Sequence, residues 1–577
     1  MTKRAFFLRY ARDQRWLLTA LTLLTLTATL ATLVTPQLVR RFLDAAGSGA
    51  PLSRLLVIAA SFAGISLLVQ GLNLVRTYLG ELVAWRTTNR LREDLARHCL
   101  RLDMNFHKTH KPGELMERLD NDVNETRRFF SSLFTELLAI LPLFAGVVIA
   151  LAIENRMLGL AAFILSLATL WAFPAINTKR VPHMHYVREV HALLAGDQQE
   201  WLQGREDIQA SSSVDVMINR LHRRYSQRYK ASLRLLPYHM GSNLLPGLIL
   251  FLLYLLAYIF SAGFRSYVLP VSSFAMVLLY IGKLQLPLEV MQHSFTWIAA
   301  AQAAFDRITL LLDEKPVLHQ GSARLQPEAG LGLSCEQLGF AYDDQTVLHD
   351  ISFTLQPGEQ LGLLGRTGSG KTTLTRLIMH LYEPGSGSIY LDDGSKRFRP
   401  QELAPDCLNS LCAMVTQEVE LLNASIRDNL TMYNKNISDQ AVLQAIDSVS
   451  MSDWLERQPK GLDSRLTGTS GLSAGEAQLL SLARIFLRNP SLVIMDEASS
   501  RLDLATERKM QLAVQRLLHR RTAIIIAHRL DTVQHVDRLL ILDQGRIIEQ
   551  GSRAALLADS GSRFNHLLKT GLAEVLA

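Results

Sequence analysis

Gly365-Arg366-Thr367-Gly368-Ser369-Gly370-Lys371-Thr372 has the spacing G-x-x-x-x-G-K-[ST] and follows an apolar, strand-like run at 360–364. Glycines so placed let successive backbone N–H groups curl around phosphate oxygens, and a helix starting behind them turns its positive end to the same oxygens. In that setting Lys371 reaches the β- and γ-phosphates of a nucleotide, and the Thr372 hydroxyl ligates Mg2+. A glycine-rich turn with an incidental lysine would need neither the strand before it nor the helix after it.

A second constellation lies at Leu492-Val493-Ile494-Met495-Asp496-Glu497. An apolar strand that ends in two acids puts Asp496 beside the metal and Glu497 beside the γ-phosphate, where Glu497 can polarise an attacking water. Alone, the pair reads equally well as an exposed strand end. After a phosphate-binding loop, the chemical reading prevails.

Two unlike parts must hold these residues. The 577-residue chain is 48% hydrophobic and 20% charged, with a mean hydropathy of +0.13. That excludes disorder and collagen, and it is too polar for a chain lying wholly in a bilayer. Uncharged stretches run 16–39, 55–75, 137–153, 157–178, 235–264 and 266–282. Each approaches the ~20 residues that cross ~30 Å of hydrocarbon, the third and sixth by extending past Glu136 and Lys283. Six membrane helices are expected. The basic flank 1–15 precedes 24 uncharged residues, long for a cleaved leader; Ala5-Phe6-Phe7-Leu8-Arg9-Tyr10 reads as an amphipathic elbow on the membrane surface.

Lys and Arg place the loops. Residues 76–128 carry 11 of them and 179–234 carry ten, whereas the connectors on the other side are short. The positive-inside rule puts both long loops and both termini in the cytoplasm, in a multi-pass plasma (inner) membrane protein. Both loops carry apolar residues at helical spacing, so the membrane helices continue into the cytoplasm and pair there through turns near 105–113 and 203–212. The net charge of +7 is too small for its length to indicate a nucleic-acid partner. Cys99, Cys335, Cys407 and Cys412 lack zinc spacing and read as buried or free thiols in a reducing compartment. His107/His110 and His183/His185 read as solvated loop histidines rather than metal pairs.

From 333 onward the texture changes to short β runs, turns and helices. The expected fold is multidomain: an all-α polytopic membrane domain and an α/β P-loop cassette. The boundaries are an elbow at 1–15, a membrane domain at 16–313, a linker at 314–332 and a cassette at 333–577.

Between the two phosphate motifs stands Leu472-Ser473-Ala474-Gly475-Glu476, which resembles the signature L-S-G-G-Q of the ATP-binding cassette (ABC) family. The resemblance covers nearly the whole chain and implies the remaining roles. Gln417 is similar to the glutamine that reaches Mg2+ and water. Tyr342 holds the place of the aromatic residue that stacks on adenine, His528 that of the switch histidine at the γ-phosphate, and Ser500-Arg501-Leu502-Asp503 that of the D-loop. ATP and Mg2+ are the implied cofactors. Thr373 beside Thr372 completes the phosphate loop, and Ser473 and Gly475 belong to the loop that closes over ATP held by an opposite subunit. Phe106-His107-Lys108-Thr109-His110-Lys111-Pro112-Gly113-Glu114-Leu115 resembles a coupling-helix region, and Ala303-Ala304-Phe305-Asp306-Arg307-Ile308 the exit from a sixth helix. Six spans followed by one cassette is the order of an exporter half-transporter.

The departures bear on the partner. Ala474 and Glu476 replace a glycine and the glutamine, Gly468-Thr469-Ser470-Gly471 lacks an acid, and Arg501 replaces a small residue. An added methyl and an added negative charge both weaken a nucleotide sandwich, while Glu497 and His528 are intact. The resemblance implies a second half-transporter, because each ATP needs the phosphate loop of one subunit and the signature of another; the departures leave a homodimer and a heterodimer equally open. Gln70, Asn73, His239 and Asn243 in the spans point to an amphipathic or weakly polar cargo, or simply pack helices. Import of metal-chelate complexes and a non-transporting ATP-binding regulator are the alternatives; the intact Glu497 and His528 weigh against the regulator.

Overall fold

The computed structural model describes residues 12–262, 270–319, 321–326, 330–394, 396–416, 419–467, 472–496, 504–527 and 533–569. It divides into two compact units, the first made of residues up to 101 and 110–315, the second of 102–109 and the chain from 316 onward. The expected elbow at 5–10 lies outside the described residues, as does the short connector at 265 between the fifth and sixth apolar stretches.

The first unit is helical: α1 (Arg15–Gly47) and α2 (Leu52–Cys99) pack together, and after α3 (Met104–Thr109), which belongs to the second unit, come α4 (Pro112–Glu117), α5 (Val123–Ser132), α6 (Leu138–Glu154), α7 (Arg156–Gln203), α8 (Arg205–Ala210), α9 (Val214–Ala262), α10 (Val271–Gly282) and α11 (Gln285–Asp313). Among the described residues, six helical segments are long and apolar enough to cross a membrane. At 48 residues, α2 is about 72 Å long, more than twice the ~30 Å of hydrocarbon. The surplus is the charged extension expected from the sequence. The third segment does run back past Glu136, through two π-type turns at Arg118–Asp122 and Leu133–Leu137. The sixth continues past Lys283, with a break between α10 and α11. The turn expected near 203–212 contains a short helix of its own, α8, and the one near 105–113 holds most of α3 and the start of α4.

Many polar groups in these helices are satisfied within the helix or by a neighbouring one, as an apolar surrounding demands. In α1 the hydroxyls of Thr22, Thr25, Thr27, Thr29 and Thr32 each donate to the carbonyl four residues back. Pro36 has no N–H for the Thr32 carbonyl, and the Thr35 hydroxyl donates to it at 2.9 Å instead. One residue on, the buried Tyr280 hydroxyl of α10 donates to Leu33 O at 2.8 Å and accepts from the Gln37 amide at 3.2 Å. Arg40 pairs with Glu154 at 2.7 Å, joining α1 to α6. Asp122, at the end of the first π-type turn, takes the Arg307 guanidinium with both carboxylate oxygens.

The second unit is built on two sheets. Strands β1 (Gly332–Tyr342), β2 (Gln345–Leu355), β4 (Ser386–Asp392) and β5 (Arg397–Phe398) form an antiparallel sheet in the order β2-β1-β4-β5. The second sheet, ordered β10-β9-β3-β8-β7-β6, contains β3 (Gln360–Gly365), β6 (Cys412–Val415), β7 (Leu492–Asp496), β8 (Thr522–Ile526), β9 (Arg538–Asp543) and β10 (Arg546–Ser552). Its inner pairs are parallel and only β9·β10 is antiparallel. Continuous apolar runs make such strands because both sheet faces are covered. Val493, Met495, Ala523 and Ile525 enter one core; Leu492, Ile494, Ile524 and Ile526 enter the other. Cys99, Cys335, Cys407 and Cys412 are all buried and in no disulfide. Burial pushes Cys335 up, and Cys412 up to about 12.

Candidate functional site

Parallel pairing decides where the chemistry collects. Ile526 of β8 pairs with Leu363 of β3 and with Asp496 of β7. The carboxyl ends of three central strands therefore finish together, the place where open α/β sheets hold ligands. The 365–372 loop leaves one of those ends, and Asp496, 9% exposed, terminates another.

The loop has the backbone its glycines permit. Gly365 has φ +153° and Gly370 φ +102°. A Cβ on Gly365 would lie 2.3 Å from Leu542 O, and one on Gly370 would lie 2.6 Å from a Leu348 methyl, so neither place takes a side chain. Gly545 N–H, in the β9–β10 turn, donates to Ser369 O at 3.1 Å and supports the loop from outside. Behind it α12 (Lys371–Ile378) begins, with the buried Thr373 in its first turn and Thr372 half-buried.

Lys371 is folded into its own loop. Its side chain is 5% exposed, and Nζ donates to Gly365 O at 2.6 Å and Arg366 O at 3.0 Å. The ammonium is thus held where phosphate oxygens could take over from carbonyl oxygens. The Ser369 hydroxyl is buried without a hydrogen-bond partner. A loop closed to a Cβ at Gly365 and Gly370, an ammonium on two carbonyls, an orphaned hydroxyl and a strand-end acid fit a nucleoside triphosphate with its Mg2+, for which Thr372 and Asp496 are the described ligand candidates.

Tyr342, the last residue of β1, stands perpendicular to Phe340 and Tyr382, with ring centroids 4.8 and 5.3 Å away. Tyr382 follows α12, so the aromatic wall connects to the phosphate loop through that helix. Burial raises the Tyr382 phenol above its ordinary range, and the buried Tyr342 hydroxyl has no hydrogen-bond partner.

Two features were not foreseen. The segment 102–109 packs within this unit: Asp103 accepts Phe106 N–H at 3.1 Å and Val317 N–H at 2.8 Å, and Lys108 Nζ lies 4.6 Å from the Tyr342 ring centroid and 3.7 Å from Asp343. Arg484, on α13 (Ala474–Arg488), donates to Asn429 O at 2.7 Å, Asn429 Oδ1 at 3.0 Å and Glu420 O at 3.1 Å. It pins the segment that follows Gln417, and burial lowers its guanidinium below the usual range. The pattern Ser473-x-x-Glu476 could have announced the capping box that opens α13; no local pattern announces the other contacts.

Ser473 and Gly475 stand at the start of α13, which packs against the helices Ile426–Thr431, Asp439–Ser448 and Leu504–Leu518 rather than on the phosphate loop. Gln417, Glu497, His528, the segment 468–471 and the D-loop at 500–503 lie outside the described residues.

The family description "ABC transporter transmembrane region" matches residues 18–288, and "ABC transporter" matches 348–500. An uncharacterized ABC transporter ATP-binding protein, YknV, of Bacillus subtilis (strain 168) is 28% identical over 544 residues, 92% of this chain and 88% of its own. An ATP-dependent lipid A-core flippase of Nitrosococcus oceani is 28% identical over 575 residues, covering 96% and 92%. A fatty acid ABC transporter ATP-binding/permease protein of Mycobacterium tuberculosis is 27% identical over 497 residues, covering 83% and 76%. In fold, the chain is similar to a bacterial Atm1-family ABC exporter solved with ATP bound, with a TM-score of 0.80, 22% identity and coverage of 97% and 98%.

Proposed function

Since this chain belongs to the ABC transporter family, as an exporter-type half-transporter with membrane region and nucleotide-binding domain in one polypeptide, we propose that it uses ATP hydrolysis to export an amphipathic small molecule, lipid or peptide. The observation that carries the reading is the alignment of the β3, β7 and β8 ends, which brings the 365–372 loop and Asp496 to one edge. Relatives named for lipid A-core and fatty acids favour an amphipathic, lipid-like cargo. In this reading the protein sits in a plasma (inner) membrane, and the Lys/Arg distribution supports a cytoplasmic cassette and cytoplasmic termini.

In this reading Tyr342 stacks on the base, and the N–H groups of 366–373 hold the phosphates. Lys371 exchanges the Gly365 and Arg366 carbonyls for β- and γ-oxygens. Thr372, Gln417 and Asp496 would hold Mg2+, which when bound neutralises phosphate charge. Glu497 accepts a proton from the attacking water, and His528 contacts the γ-phosphate.

One cassette supplies only half of each site. Ser473 and Gly475 complete the site of a second half-transporter, either another copy of this chain or a sibling. ATP held between two cassettes favours the closed dimer, and loss of the γ-phosphate releases it. Moving such an equilibrium from 1:99 to 99:1 takes about 5.5 kcal/mol of differential binding, within reach of charge-assisted phosphate contacts made only on closure. The test is purification of the chain alone and assay in lipid vesicles. Robust ATP turnover, lost in Glu497→Gln, establishes a working homodimer; turnover that needs a sibling chain establishes a heterodimer.

A further inference from the structure

Lys108 lies more than 200 positions from the residue it faces, yet its ammonium is placed over the Tyr342 ring, 4.6 Å from the centroid. Two anchors hold it there. Asp343, at the tip of the β1–β2 hairpin with φ +51°, draws Nζ to 3.7 Å. The backbone of α3 is fixed by the buried Asp103, whose carboxylate takes the N–H groups of both Phe106 and Val317, and by the burial of Phe106 itself.

A cation on one face of an aromatic ring is attracted by its quadrupole. It also draws electron density from the ring, which makes the opposite face a better stacking surface for an electron-rich purine. We propose that Lys108 is a positioning residue of the nucleotide site: it holds the Tyr342 ring by one face, leaves the other for the base, and so ties base binding to α3. This rests on the reading of Tyr342 as the base-stacking residue. The contribution is confined to the base, because the triphosphate is bound by the 365–372 loop.

The test uses the full chain in lipid nanodiscs with two probes, Mg-AMP-PNP and Mg-tripolyphosphate. Lys108→Ala weakens AMP-PNP binding about two- to five-fold, the size of an exposed cation–π contact, and leaves tripolyphosphate affinity unchanged. Lys108→Arg restores AMP-PNP affinity. In a Tyr342→Leu background, Lys108→Ala has no further effect. An unchanged or tightened AMP-PNP affinity in Lys108→Ala, equal weakening for both probes, or full additivity with Tyr342→Leu overturns the proposal. Failure of the unmutated chain to bind AMP-PNP overturns the nucleotide-site reading itself.

Discussion

Glu476 Oε2 accepts the backbone N–H of Ser473 at 2.9 Å, while the Ser473 hydroxyl accepts the N–H of Glu476 at 3.2 Å. The reciprocal pair satisfies two orphan donors at the start of a 15-residue helix. It also engages, within one chain, the backbone N–H groups of Ser473 and Glu476 in the loop that the proposed sandwich turns to a partner's γ-phosphate, leaves the Ser473 O–H to donate there, and adds a carboxylate. Glu476→Gln keeps a capping box and removes the charge, so steady-state ATP turnover should rise about two- to ten-fold with little change in melting temperature. Ser473→Ala should cost about 1 kcal/mol of stability and lower turnover as well. ATPase assays beside thermal melts check both; a Glu476→Gln variant no faster than the parent would mean that the carboxylate does not oppose the phosphate.

Lys371 contributes to the loop even before nucleotide arrives, through Gly365 O and Arg366 O. Lys371→Ala is expected to abolish ATP turnover, by at least about 100-fold given the loss of a charge that stabilises the transferring phosphoryl group. Initial rates at saturating Mg-ATP measure this, and undiminished turnover would refute the role.

Arg484 holds two backbone carbonyls and the Asn429 amide oxygen from a half-buried position. Arg484→Met leaves those acceptors without their donor and should cost about 2–3 kcal/mol, as loss of charged hydrogen bonds does. Hydrogen exchange should show the loss first in 419–430, the segment after Gln417. Uniform protection there in the variant would show that the segment is held by other contacts.

His380 and Glu383 give the cassette a pH dependence. Burial lowers the His380 imidazole below its ordinary 6.5, so the folded chain holds it neutral. Burial pushes Glu383 up, but the His319 backbone N–H and imidazole outweigh this and hold the carboxyl below its usual 4.5. Above 6.5 His380 is neutral in both states and contributes nothing. As pH falls below 6.5, the unfolded chain takes up the proton first and stability drops. The Glu383 contribution is present above 4.5 and is lost as pH falls through its lower folded value. His380 has φ +53°, which asparagine tolerates; His380→Asn should therefore flatten the decline in melting temperature between pH 6.5 and 4.5. An unaltered slope would place the pH response elsewhere.

How far these features could be read from the sequence follows from the range of the interactions behind them. The six spans are legible because length and hydropathy are local, and the phosphate loop because its glycines are fixed by their own backbone: a Cβ at Gly365 meets Leu542 O. The strands β3, β7 and β8 were legible as apolar runs, although their shared edge depends on pairing across more than 100 residues. Lys108 against Tyr342 and Asp103 against Val317 join residues over 200 apart, with nothing in either local sequence to announce them. Nothing local sets Arg484 apart from any other helix cation; its role depends on Asn429, 55 residues away. The capping box was visible as Ser-x-x-Glu, but the same letters read first as an altered signature.

The central claim is hydrolysis of ATP at the 365–372 loop with Glu497 as the base. Its most direct test is Mg-ATP turnover by the chain and its partner half in lipid vesicles, comparing the native sequence with Glu497→Gln while Mg-ATP binding is measured on both. The account predicts that both bind Mg-ATP and that Glu497→Gln turns over at least about 100-fold more slowly, the scale of general-base catalysis. Equal turnover by the two would contradict it.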